Sequence, residues 1–154
     1  MTRRLMFMAL AAMVVPTILL AADNRVGTWK YNEAKSKFDP GPAPYKSRTV
    51  KVEAAGEGIK VAVDGVGADG KPQSYSYTAN YDGKDYPVTG SPLFDAVAYK
   101  RIDDNTIEGT NKKGGQVAST VTIVVAKDGQ TMTVTTKGKN DKGPFTNAVF
   151  YDKQ

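Results

Sequence analysis

From Ser47 onward, hydrophobic and polar residues alternate with a period of two, and Gly-containing turns interrupt the alternation at short intervals. Val50, Val52 and Ala54 alternate with Thr49, Lys51 and Glu53; Ile59, Val61 and Val63 alternate with Lys60, Ala62 and Asp64. Tyr75, Tyr77, Ala79 and Tyr81 then share one parity, with Ser74, Ser76, Thr78 and Asn80 on the other. Period two places successive side chains on opposite faces of a pleated strand, so these segments read as half-buried strands with one wet face. Asp64-Gly65, Asp69-Gly70, Asp82-Gly83, Gly114-Gly115 and Asp128-Gly129 read as turns, because these pairs tolerate the positive φ that tight hairpins need.

Further strands are expected around Tyr86-Pro87-Val88, over 94–102, 106–111, 117–126, 131–138 and 146–151. With the first strand at Val26-Gly27-Thr28-Trp29-Lys30-Tyr31, that makes about ten, at the spacing of a sandwich or barrel. The short connections favour pairing of sequence neighbours, and closure removes the exposed edges of an open meander. The expected fold is all-β: a single antiparallel up-and-down β-barrel of about 8–10 strands. Between the first strand and Ser47, Asn32 is placed to cap a single helical turn. Asp39-Pro40-Gly41-Pro42-Ala43-Pro44 forbids helix and central strand alike, and is expected to cross one end of the barrel.

The first 22 residues stand apart. Arg3 and Arg4 precede an apolar run from Leu5 to Leu20, and Ala21-Ala22 leads into polar Asp23-Asn24-Arg25. This is the pattern of a secretory signal peptide cleaved after Ala22, with an uncleaved anchor as the alternative. The implied domains are 1–22, a signal peptide, and 23–154, the barrel; the implied location is the periplasm or the exterior. Removing 22 residues from 154 leaves 132, with two arginines fewer, so the net charge falls from +5 to +3. Scattered lysines on a +3 domain do not form the clustered, aromatic-interleaved surface of a nucleic-acid binder, and no stable membrane insertion is expected once the leader is gone.

The chain has neither Cys nor His. That removes disulfides, the usual zinc and haem ligands, and Ser-His or Cys-His nucleophile pairs. No cofactor or metal is implied, and the Asp-rich turns lack the ligand offsets of a calcium loop. Enzymatic work would fall to Tyr, Lys or Asp, so a binding protein is the first reading and an enzyme the last.

Gly27-Thr28-Trp29-Lys30 at the opening and Val149-Phe150-Tyr151-Asp152-Lys153 at the close resemble the calycins, the lipocalins and fatty-acid-binding proteins. The chain as a whole, from about Val26 to Lys153, is similar to small exported bacterial lipocalin-like proteins. That likeness rests on Lys35-Ser36-Lys37-Phe38, Tyr81-Asp82-Gly83-Lys84-Asp85-Tyr86-Pro87-Val88 and Lys100-Arg101-Ile102-Asp103. The resemblance implies a barrel around a small apolar or amphipathic ligand, and a basic side chain across Trp29, for which Lys137 and Lys139 are the candidates. Two departures stand out. Asn32 to Lys46 is too short and proline-rich for the helical lid of fatty-acid-binding proteins, and Val149 replaces the Arg of their carboxylate clamp.

The only tryptophan, Trp29, is expected to be a structural plug, since large aromatics dominate core energetics. Tyr75, Tyr77 and Tyr99 are the candidate ligand contacts, offering hydroxyls inside an apolar wall; the alternative is packing alone. Bulky Val97 and Tyr99 set the odd positions of their strand inward. Arg101 shares that parity and is the candidate partner for a ligand carboxylate or phosphate, or else it snorkels out at the strand end. Gly109 is expected to leave space beside it. The second reading of function is a filled barrel that acts as a structural or interaction module of the envelope. Oligomeric state and ligand identity stay open.

Overall fold

The computed structural model describes residues 23–154, so the expected leader lies outside the described residues. Ten strands follow in order: β1 (Gly27–Asp39), β2 (Tyr45–Ala55), β3 (Gly58–Gly67), β4 (Pro72–Ala79), β5 (Tyr86–Thr89), β6 (Ala96–Arg101), β7 (Thr106–Lys113), β8 (Gln116–Val125), β9 (Thr131–Asn140) and β10 (Gly143–Lys153). Each pairs antiparallel with its sequence neighbours, and β10 returns to β1, closing an up-and-down barrel. Trp29 stands opposite Lys153 and Tyr31 opposite Tyr151 across the closing seam.

The alternation decides which side chains fill the interior. On β3, Ile59, Val61 and Val63 are buried while Lys60 and Asp64 are exposed. Burying such a side chain stabilises the fold by about 1.5–3 kcal/mol before entropy is counted. Trp29, Val52, Ile59, Val125 and Met132 pack the end of the barrel where Asp23 and Gln154 lie, which we call the plugged end. Phe38, Tyr45, Tyr75 and Phe94 gather towards the opposite end, in edge-to-face pairs at 5.8 Å (Phe38–Tyr45) and 5.4 Å (Tyr75–Phe94).

Two local features differ from the sequence reading. Asp64-Gly65 is not a turn: β3 runs through it to Gly67, and the reversal comes at Asp69-Gly70, where Gly70 has φ +81°. Gly65 is needed for another reason. A Cβ there would collide with the Ser47 carbonyl of β2, so glycine lets the two strands approach opposite Arg48.

The single turn expected after Asn32 is a large bulge within β1. Asn32 pairs with Phe150 but Lys37 already pairs with Ala148. Asn32 does act as a cap, its Oδ1 accepting from the Lys35 amide at 3.2 Å. The Ser36 hydroxyl donates to the Asn32 carbonyl (2.7 Å) and accepts from the Phe150 amide (2.9 Å), replacing a lost ladder bond.

The wall is thinnest at β5. Only two register pairs tie it to β4 and two tie it to β6, and Pro87 removes one donor from this short strand.

Candidate functional site

Two arginines point into the barrel, and no carboxylate joins them there. Arg48 follows the even parity of Val50 and Val52 on β2, which carries its side chain inward between β1 and β3. Its guanidinium carbon sits 3.7 Å above the Tyr45 ring centroid and 6.0 Å from that of Tyr75. Tyr31 stands edge-on to Tyr45 at 4.9 Å, and its hydroxyl is buried without a hydrogen-bond partner. Tyr151, paired with Tyr31 across the closing seam, brings a further phenol beside Arg48.

Arg25 enters from the plugged end. A turn closed by the Val26 amide on the Asp23 carbonyl (3.0 Å) folds it beneath Trp29. The indole N–H of Trp29 donates to the Arg25 carbonyl at 2.8 Å. Arg25 is 3% exposed, its Nε has no acceptor, and its Nη1 reaches the Tyr81 hydroxyl only at 3.5 Å.

Among the described residues the ion pairs are Lys51–Glu53, Arg101–Asp23 and Lys112–Asp85, none of them involving Arg25 or Arg48. Residues 1–22 contain no Asp or Glu that would supply a counter-charge.

Electrostatics keeps both cations charged and the phenols neutral. Burial pushes the Tyr45, Tyr75, Tyr81, Tyr99 and Tyr151 hydroxyls up from the ordinary tyrosine value. They therefore carry their protons at neutral pH and act as hydrogen-bond donors. For Arg25 and Arg48, burial opposes the charge, yet the net shift is upward and both guanidiniums stay charged. A guanidinium ringed by neutral O–H groups binds anions and does not abstract protons.

The candidates from sequence fall in two places. Tyr77 and Tyr99 are buried inside, edge-to-face at 6.1 Å, and Tyr75 is half-buried on the same interior face. Tyr99 donates to Asn111 Oδ1 (3.0 Å), and Asn111 Nδ2 donates to Ser119 Oγ (3.1 Å), so that hydroxyl is already engaged.

Arg101 is not with them. It lies exposed at the plugged-end rim, bonded to Asp23 at 2.9 Å, its guanidinium 4.7 Å from the Tyr81 ring centroid. Gly109 stands opposite Tyr99, not Arg101, and the Tyr99 ring occupies the space its missing side chain leaves. Lys137 and Lys139 are both exposed; the cation across Trp29 is Lys153, 5.4 Å from the ring centroid.

The sequence reading missed Arg48, Arg25, Tyr31, Tyr45 and Tyr151. For Arg48 the signal was present, since it shares the parity of Val50 and Val52. For Arg25 there was none, because it precedes the first strand and is placed by a turn.

Two concavities mark the outer surface. One, about 670 Å³, crosses the outward faces of β6 to β9 and is lined by Lys100, Glu108, Thr110, Thr122, Thr135 and Lys137. The other, about 250 Å³, lies over the β4–β5 seam and is lined by Lys60, Ser76, Tyr77, Thr78 and Thr89.

Closure, strand order and an aromatic-rich interior define a ten-strand antiparallel barrel of calycin-like shape. No family model matches the chain, and no curated protein matches it in sequence.

Proposed function

We propose that this is an exported lipocalin-like binding protein that holds a small amphipathic molecule in its interior, with an anionic head at Arg48. The observation that carries the reading is the Arg48 guanidinium, stacked on Tyr45 among phenols and joined to no carboxylate among the described residues. Leaving a cation partly desolvated and unpaired is costly, and a ligand carboxylate satisfies the guanidinium bidentately. Tyr75 and Phe94 then offer flat apolar contact to the rest of the ligand, with Tyr77 and Tyr99 deeper in the barrel. Arg101, at the rim and paired with Asp23, is not part of this reading.

Titration with a fluorescent fatty acid and with the matching fatty alcohol tests the reading. Arg48→Met is expected to weaken binding of the acid at least tenfold and to leave the alcohol unchanged. Equal affinity of the parent for acid and alcohol would refute it.

A second reading is an interaction module of the cell envelope whose barrel is filled. It is favoured by the position of both concavities on the outside of the wall. Failure of the parent protein to bind either probe, together with capture of an envelope protein lost on Lys100→Glu/Lys137→Glu, would support it.

A further inference from the structure

Arg25 enters from the plugged end and is the more completely enclosed of the two cations. We infer that the plugged end contains a binding site for one small monovalent anion, of the size of chloride or formate, held by the Arg25 guanidinium with the Tyr77 and Tyr81 hydroxyls.

Three observations carry this. The first is an orphaned donor: Arg25 Nε is buried with no acceptor, and Nη1 reaches the Tyr81 hydroxyl at 3.5 Å. Most buried polar groups are satisfied, so each exception asks for a missing partner.

The second is charge. Asp23 is the carboxylate nearest in sequence, and both its oxygens are engaged. Oδ2 takes Arg101 at 2.9 Å and Oδ1 takes the Arg25 backbone amide at 2.8 Å. Arg25, Arg101 and Asp23 together therefore carry one uncompensated positive charge. An unpaired buried ion is among the costliest arrangements in a protein interior, and one monovalent anion neutralises it.

The third is the chemistry of the wall. Tyr77 and Tyr81 flank the guanidinium, and Tyr81 also reaches the Asp23 carboxylate; a phenol O–H donates to an anion. Size is limited by the packing. Trp29, Ile59 and Met132 fill this end and are buried to within 1% of complete enclosure, and a single uncompensated charge matches a monovalent ion rather than a divalent oxyanion.

The site does not depend on the reading of Arg48. It is also tied to the plug, since the Trp29 indole is bonded to the carbonyl of the same arginine.

Crystals of the protein grown in bromide test this directly. An anomalous peak is expected within hydrogen-bond reach of Arg25 Nε or Nη and of the Tyr81 hydroxyl. An ordered water there and no bromide would overturn the proposal.

In solution, chloride, bromide and formate are expected to raise the unfolding midpoint saturably, and sulfate at matched ionic strength is not. Arg25→Met should abolish the saturable part. If that variant does not fold, Tyr81→Phe retains the cation and should weaken the apparent halide affinity severalfold. Arg48→Met should leave the halide response intact. A salt response that is the same for every anion, or that survives in both Arg25→Met and Tyr81→Phe, would overturn the assignment. So would a response lost in Arg48→Met.

Discussion

Replacing Trp29 by Phe removes two things at once, and the structure sets the size of each. The indole is fully buried, and its N–H donates to the Arg25 carbonyl at 2.8 Å. Phenylalanine keeps an aromatic ring but offers no donor, which leaves that carbonyl enclosed and unpaired at a cost of about 1–3 kcal/mol. The smaller ring leaves a void of roughly 35–40 Å³, adding about 1 kcal/mol at the usual cost per volume of core cavity. The sum, about 2–4 kcal/mol, is a large fraction of the roughly 5–15 kcal/mol that holds a domain folded.

For a domain of this size each kcal/mol moves Tm by roughly 3–5 °C, so a fall of about 6–20 °C is expected. Urea unfolding followed by far-ultraviolet circular dichroism measures the difference without relying on the tryptophan. The slope should be unchanged and the midpoint lower. In the parent, indole fluorescence should be blue-shifted and shielded from acrylamide. A Trp29→Phe variant within about 0.5 kcal/mol of the parent would refute the plug, because such a value is typical of surface substitutions.

Gly109→Ala is expected to cost about 1–3 kcal/mol, because a Cβ there collides with the Ala98 carbonyl and with the Tyr99 ring of the facing strand; the same denaturation assay reads it. Alkali should destabilise the fold. The buried hydroxyls of Tyr45, Tyr75 and Tyr99 hold their protons above the ordinary tyrosine value. An unfolded chain releases those protons from about pH 10 upward, while the fold retains them. Stability contributed this way is complete below about pH 10 and declines above it, so phenolate absorbance from these groups should appear together with unfolding. Gradual ionisation at about pH 10 in the still-folded protein would contradict their enclosure.

The barrel was legible in the sequence because its determinants are local. Alternation on β3 and β4 shows which residues face inward, and pairs such as Asp128-Gly129 set the reversals, Gly129 having φ +71°. Trp29 stood out from its uniqueness and its place on the first strand, and it is fully buried. Asp64-Gly65 misled because glycine serves two purposes. At Gly70 it supplies a positive φ, whereas at Gly65 it lets one strand approach another, and the dipeptide alone does not distinguish them.

The candidate site was legible only by half. Tyr75, Tyr77 and Tyr99 follow from parity, but their neighbours across the barrel depend on register and closure. Tyr31 and Tyr151 meet only because β10 returns to β1 with that offset. Arg101 has inward parity but ends its strand, where Asp23 and the Tyr81 ring hold it at the rim. Arg48 has the same kind of parity within its strand, where its guanidinium lies against the Tyr45 ring and faces Tyr75. Position along the strand, not parity alone, separates a rim cation from an interior one.

The most direct test of an interior built to receive an anion is native mass spectrometry of the protein purified from its own host under mild conditions. The account predicts a one-to-one complex with a small acidic molecule, absent from Arg48→Met prepared in the same way. A bare polypeptide mass, unchanged when fatty acids are supplied in excess, would contradict it.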